Sequence, residues 1–412
     1  MSLPTATIRA GFIPLLDAAP LIVAHEHGFA RQEGFELTLS RETSWATIRD
    51  RLAVAHLDIA HALAPMPIAA NLGIGALPMK LIAPMALGFG GNTVTVSKPL
   101  WRAMAEAGAT ADFDPRIALH ALSAVVTQRR TSGRPKLVFG IVHPHSAHRY
   151  ELAYWLAAGG MIPGHDVELV VLPPPLMAVA LESEQIDGFC AGEPWGSVAV
   201  KEAHAVIATT GSHIWRSGPE KVLAARANWA SDRPERLAAL VRAIHRACQW
   251  CDVPENGEAL CELLARPHYL GQAPELIRPS LLGLLPTGIG PRLRVEGFLN
   301  YAARAATFPW TSHALWFLSQ MARWGEITIT PETIQTARDT YRPDLYRQAL
   351  AACGIDIPTA NAKVEGALPA KTAVGSVAGR LLLGPDGFFD GTKFDPDHLS
   401  DYLQVLRAAD AT

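Results

Sequence analysis

The signatures of catalysis are missing from this chain. No G-x-S-x-G nucleophile elbow, no Walker A loop, no G-x-G-x-x-G after the first strand and no H-E-x-x-H occurs among the 412 residues. Charge is scarce as well: 18% of residues are charged and the net charge is −3, so the electrostatic footprint of a nucleic-acid binder is absent and no direct nucleic-acid partner is expected. No apolar run reaches the ~18 residues of a membrane span. The five cysteines are an odd number set inside apolar patterns, which excludes a disulfide framework as the source of stability. What is abundant is apolar surface. At 49% hydrophobic residues, a chain of this length supports two buried cores, and so two lobes.

The strongest internal pattern is an echo. Asp187-Gly188-Phe189-Cys190-Ala191-Gly192-Glu193-Pro194-Trp195 repeats the plan of Asp58-Ile59-Ala60-His61-Ala62-Leu63-Ala64-Pro65: an Asp, an apolar strand, then Pro seven residues after the Asp. Both the Asp pair (58 and 187) and the Pro pair (65 and 194) are offset by 129 residues. Two α/β lobes that each present a strand-to-helix turn to a shared cleft would give such an echo, and ligands of open α/β sheets bind outside the carboxyl ends of the strands. The binding site is therefore expected between the lobes.

Read in order, residues 7–14 form a buried strand, Asp17 is placed to cap a helix over 19–27, and 34–40 alternates as a half-buried strand. Ser44 caps a second helix in which Trp45, Ile48, Leu52 and Ala55 recur at helical spacing. A strand at 59–63 follows, then a short helix at 65–72, a glycine-rich approach at 88–92, and a strand at 93–97 that carries the chain into the second lobe. Strands at 137–142 and 167–172 alternate with helices at 117–129 and 149–158, which calls for right-handed crossovers and a mainly parallel sheet. From Lys221 the chain returns to the first lobe. Lobe I is thus assigned residues 1–92 and 222–412, with a helical C-terminal extension, and lobe II residues 93–221. The segment 357–375 is short of large apolar residues and reads as a linker or exposed arm, and 388–406 as a final helix-like stretch.

Few side chains carry chemistry. Cys248-Gln249-Trp250-Cys251 is a C-x-x-C, but it lies mid-helix with no second ligand pair, so two core thiols are expected and no metal. His143, His145 and His148 cluster at a strand-to-helix turn, where an imidazole either donates to an anion or is satisfied by capping; His148 is best placed beside the first helical turn. Trp45 is either a core aromatic or an indole N–H facing the cleft. Asn92 is either a turn residue or a neutral donor. Lys221, at the return between lobes, is the simplest fixed positive charge for a small anion.

These residues belong to stretches with a known resemblance. Gly11-Phe12-Ile13-Pro14, Glu26-His27-Gly28-Phe29, Ser44-Trp45-Ala46-Thr47, Leu63-Ala64-Pro65-Met66-Pro67, Pro173-Pro174-Pro175, Phe189-Cys190-Ala191-Gly192-Glu193-Pro194-Trp195 and Pro219-Glu220-Lys221 resemble the nitrate- and bicarbonate-binding family of ABC-transporter solute-binding proteins. The resemblance covers nearly the whole chain. It implies an α/β, two-lobed periplasmic-binding-protein type II fold that closes on one small oxyanion, no enzyme activity, no cofactor, and nitrate or nitrite contacts from Trp45, Asn92, His148, Gly192 and Lys221. Asn92 departs from the glutamine that the family pattern carries there, a donor shorter by one methylene. Lysine at 221 suits nitrate, which has charge and no proton; bicarbonate has an O–H to donate and suits a carboxylate.

The segment 1–9 has no cationic n-region, apolar h-region or lipobox-like cysteine, so a cytoplasmic location is expected. With the resemblance, that implies a cytoplasmic nitrate/nitrite sensor of the NasS type, whose partner is a two-component-type, RNA-binding antiterminator (NasT-like). The alternative is the substrate-binding component of an ABC transporter for nitrate or nitrite.

Overall fold

A computed structural model describes residues 6–75 and 77–410. In chain order, β1 (Ala6–Phe12), β2 (Phe35–Arg41), β3 (Ile59–Leu63) and β4 (Leu81–Ala86) build one sheet. A second sheet is built from β5 (Asn92–Val96), β6 (Leu137–Ile141), β7 (Val167–Val171), β8 (Gly188–Gly192) and β9 (Val206–Thr210), after which β10 (Lys221–Arg226) returns to the first. The strand orders are β2-β1-β3-β10-β4 and β9-β5-β8-β6-β7.

Each sheet is parallel except for one strand, and that strand is the one entered from the other lobe. β10 runs antiparallel to both β3 and β4, and β5 antiparallel to both β8 and β9. The two sheets are therefore mixed rather than simply parallel. This has a geometric consequence: the first residues of β5 and β10 lie at the carboxyl edges of the parallel strands beside them. Asn92 sits opposite Gly192, and Lys221 opposite Leu63.

The sequence echo is a structural one. Asp58 and Asp187 each accept a backbone N–H from the neighbouring parallel strand, Arg9 N at 3.0 Å and Val138 N at 2.8 Å. Each also donates its own N–H back, to Arg9 O and Val138 O. Both carboxylates fix the register of the strand that runs into the cleft. Removing either leaves a strand N–H without its acceptor, at about 1–3 kcal/mol. Asp58→Ala and Asp187→Ala are each expected to lower the melting temperature, and because they share no partner the losses should add in the double variant. Melting curves of the three proteins check this, and a double variant no worse than either single one would refute it.

Helices cover both sheets. Pro234–Cys251 packs on Ala19–Glu26, and Cys248 and Cys251 lie in that core, where burial pushes both thiols well above their ordinary range. Thr311–Arg323 touches Ala147–Ala158, and Pro331–Thr340 packs against β4. The 357–375 segment is not a free arm. Ile357 and Glu365 are buried, and Glu365 accepts from Ser312 Oγ at 2.6 Å and pairs with Lys363, which also reaches Asp386 at 2.7 Å. Beyond it, Phe388 stacks on Trp215 at 4.6 Å between centroids and Tyr154 Oη donates to Asp390 at 2.7 Å, so the last helix begins only at Leu399–Asp410. Scarce apolar residues hid this packing because buried ion pairs and single aromatic anchors carry it.

Candidate functional site

The edge geometry gathers side chains from both sheets into one buried polar cluster, the chamber. Asn92 and Lys221 arrive as the first residues of the two antiparallel strands, and Gly192 as the last residue of β8. Two helix starts complete it. Ser44 caps Trp45–Ala53 by accepting from Thr47 N, which holds Trp45 in the first turn, and Ser146 caps Ala147–Ala158 through Arg149 N, which does the same for His148. Lys221 Nζ lies 5.6 Å from the centre of the Trp45 ring, within cation–π range. A Cβ added at Gly192 would stand 3.6 Å from Asn92 Oδ1 and 3.8 Å from Asp17 Oδ2. All five residues singled out in the sequence thus converge, and Trp45, Asn92, His148 and Lys221 are fully buried, at 0% exposure. The neighbouring histidines do not join them: His145 turns to Glu326 at 3.4 Å, and its backbone N–H donates to His143 Nδ1.

Four further ionisable residues line the chamber, and sequence reading missed their role. Asp17 does not cap the first helix, whose N-cap is Ala18 with no side-chain bond; it accepts from Lys221 Nζ at 2.7 Å. His61 Nε2 lies 2.9 Å from the other oxygen of Asp17. Glu220 approaches Lys221 at 3.2 Å and His148 Nε2 at 3.6 Å. Glu151 accepts from Asn92 Nδ2 at 3.2 Å, and the same amide donates to Glu220. Lys221 is therefore no lone charge but the centre of a buried network. A signal for Asp17 did exist: it is the one charged residue between Arg9 and Glu26, and a carboxylate in an apolar run that is fated to be buried needs a cation partner. No pattern marks Glu220, Glu151 or His61, whose partners come from distant strands.

Burial and charge act in opposition on these groups. Burial by itself would raise the Asp17 carboxyl, but the Lys221 ammonium and the His61 ring beside it hold it well below the usual carboxylate range. Burial would lower Lys221, yet Asp17 and Glu220 keep its ammonium firmly protonated. Burial, aided by Lys221, drives His148 well below its ordinary value, and burial lowers His61 too, so both rings are neutral near pH 7. Glu220 is pushed up by burial in spite of Lys221, and Glu151 is pushed up further by burial and by Glu220.

The chamber also holds unspent hydrogen-bonding capacity. Trp45 Nε1, both ring nitrogens of His148, His61 Nδ1 and Asn92 Oδ1 are buried without a hydrogen-bond partner among the described residues. Buried polar atoms in a folded interior are almost always paired, so orphans gathered at one place call for a partner. A cation at the centre, an indole N–H and a neutral imidazole N–H around it, and two helix N-termini at the rim are donors of the kind that a small oxyanion accepts from.

Two α/β lobes joined by two crossing strands, with a buried polar cluster between them, define the two-lobed, periplasmic-binding-protein type II fold of a solute-binding protein. Residues 2–265 match the NMT1-like family, and the chain belongs to that family, among the nitrate, nitrite and bicarbonate ABC solute-binding proteins. It is 32% identical over 413 residues to the nitrate/nitrite binding protein NrtA of Synechococcus elongatus, covering 97% of this chain and 86% of that one. It is 37% identical over 347 residues to the nitrate import ATP-binding protein NrtC of Synechocystis, covering 84% of this chain but only 50% of that protein, so it spans half the length of that relative. The crystal structure of the periplasmic nitrate-binding protein NrtA from Synechocystis superposes with a TM-score of 0.85 at 28% identity, over 98% of this chain and 99% of that one.

Proposed function

We propose that the chamber binds nitrate or nitrite, and that the protein is the substrate-binding component of an ABC importer for that anion. The observation that carries the reading is the convergence of Lys221 with the unpartnered Trp45 Nε1 and His148 nitrogens in a space closed to solvent. A planar anion with three acceptor oxygens and no proton satisfies these donors at once. The contact set is Trp45, Asn92, His148, Gly192 and Lys221. One relative named above is a nitrate import ATP-binding protein and another a periplasmic nitrate-binding protein, which supports delivery to a permease over the sensing role; the sensor would act through the same pocket, with closure weakening the hold on an antiterminator.

Isothermal calorimetry against nitrate, nitrite, bicarbonate and sulfate tests the pocket. Micromolar binding of nitrate or nitrite alone is the expected result, and silence toward all four overturns the assignment. Fractionation of the native cell then separates the roles. Recovery outside the inner membrane agrees with delivery, whereas recovery from the cytoplasm in a complex that dissociates on adding nitrate would replace it with the sensor.

A further inference from the structure

The charges in the chamber do not balance, and the imbalance grows when an anion enters. One ammonium, Lys221, faces three carboxyl groups, Asp17, Glu220 and Glu151, with His61 and His148 as neutral rings and Cys190 as a neutral thiol. Asp17 and Lys221 neutralise one another at 2.7 Å. Glu151 and Glu220 have no second cation between them. They are held side by side by a single amide, Asn92 Nδ2, which donates to both, and Glu151 is pressed against backbone: Cβ atoms added at Gly218 and Gly211 would stand 2.8 and 3.0 Å from its two oxygens. Two ionised carboxylates and an anion in one dry chamber would be strongly repulsive, since like charges a few ångströms apart interact far more strongly there than in water.

We infer that the cleft takes up its anion together with a proton, which the Glu151–Glu220 pair holds in the closed state. The inference rests on the anion-binding reading above and deepens it. Glu151 comes from the helix Ala147–Ala158 of one lobe, Glu220 from the residue that enters β10 of the other. Opening the cleft hydrates both carboxyls and lets them ionise; closing it brings them together with the anion and favours the shared proton. The neutral member then donates through its O–H, turning an acceptor-only group into a donor facing the ligand. The sign follows from linkage. The pair binds a proton more tightly in the closed state, so affinity is full below the ordinary carboxyl range and weakens tenfold per pH unit above it, until the pH passes the closed-state value of the pair. Burial raises both groups, Glu151 also through the charge of Glu220, and Glu220, to about 7, also through that of Asp17, which places that window across neutral pH.

Nitrate is the probe, because it carries no proton of its own near neutrality. Calorimetry at pH 6 and pH 7, in buffers of different ionisation enthalpy, counts the protons exchanged. The expected result is uptake of about one proton per nitrate and a dissociation constant about tenfold larger at pH 7 than at pH 6. Enthalpies independent of buffer, with nitrate still bound, overturn the inference while leaving the nitrate reading intact; absence of any nitrate heat at either pH removes the nitrate reading instead. Glu151→Gln supplies the donor permanently, so its uptake should fall toward zero and its affinity become flat with pH. Uptake that survives in a folded protein carrying both Glu151→Gln and Glu220→Gln would move the proton to an imidazole, and loss of wild-type binding on chelation by EDTA would show a metal cation supplying the balance; either overturns it.

Discussion

Lys221→Glu should abolish nitrate binding in calorimetry and lower the melting temperature by many degrees, and the stability gap to the unsubstituted protein should narrow as the pH falls from 8 to 5. Lys221 is fully buried with Asp17 at 2.7 Å and Glu220 at 3.2 Å. Removing one partner of a buried pair costs about 3–5 kcal/mol, because the other charge stays buried and uncompensated. The substitution also sets a fourth carboxyl among Asp17, Glu220 and Glu151, with no cation left. The pH dependence separates this cause from a packing defect. In the unsubstituted protein, Asp17 is held low by Lys221, so its contribution is present above the ordinary carboxyl range and fades in acid. In the variant the clustered carboxyls are raised instead, so acid stabilises the folded state by protonating them. A melting-temperature difference that stays constant over this range would sink the argument, as would an unchanged nitrate dissociation constant.

How much of this was legible beforehand depends on how local the cause is. The offset of 129 residues between Asp58 and Asp187 showed in the sequence because each Asp braces a strand within its own lobe, in the same way. The crossing strands were legible at Asn92 and Lys221 because a glycine-rich approach precedes the first and an apolar run, Val222-Leu223-Ala224-Ala225, follows the second. The convergence of Trp45, Asn92, His148, Gly192 and Lys221 followed from strand ends and helix caps, which are short-range features, and from the family resemblance. The network beneath them was not legible. Asp17 and Lys221 are 204 residues apart, Asn92 and Glu220 128, and an Asp before a helix looks the same whether it caps that helix or pairs with a distant lysine. The tail failed for a related reason. Composition reports apolar burial, whereas Lys363, Glu365 and Asp386 are packed as a charge cluster and Phe388 anchors a long strap on Trp215.

Gly192→Val should leave the fold intact and weaken nitrate binding by about a hundredfold, while Gly192→Ala should weaken it only several-fold. The lobes meet closely here: Leu16 N donates to Glu193 O at 2.9 Å, and Trp195 Nε1 donates to Pro14 O at 3.1 Å. A Cβ on Gly192 would stand 3.2 Å from Leu15 Cδ2, the nearest atom of the opposite lobe, and then Asn92 Oδ1 and Asp17 Oδ2 follow at 3.6 and 3.8 Å. A methyl group asks Leu15 to give by a few tenths of an ångström, which a leucine end can do. Valine adds two branches held stiffly at χ1, and whichever way they point, they meet Leu15, the Asn92 amide or the Asp17 carboxylate. Overpacking of this kind costs about 1–3 kcal/mol, and the share that Leu15 and Asp17 impose falls on the closed state alone, since an open cleft carries them away from the side chain. At 1.4 kcal/mol per tenfold, the upper part of that range is the hundredfold loss expected. Unchanged melting of the anion-free protein, with nitrate affinity lost, is the expected pair of results. Binding within a few-fold of normal in Gly192→Val would mean that Leu15 and Gly192 do not meet when the protein holds its anion, and that the closed state in solution is wider than the one described.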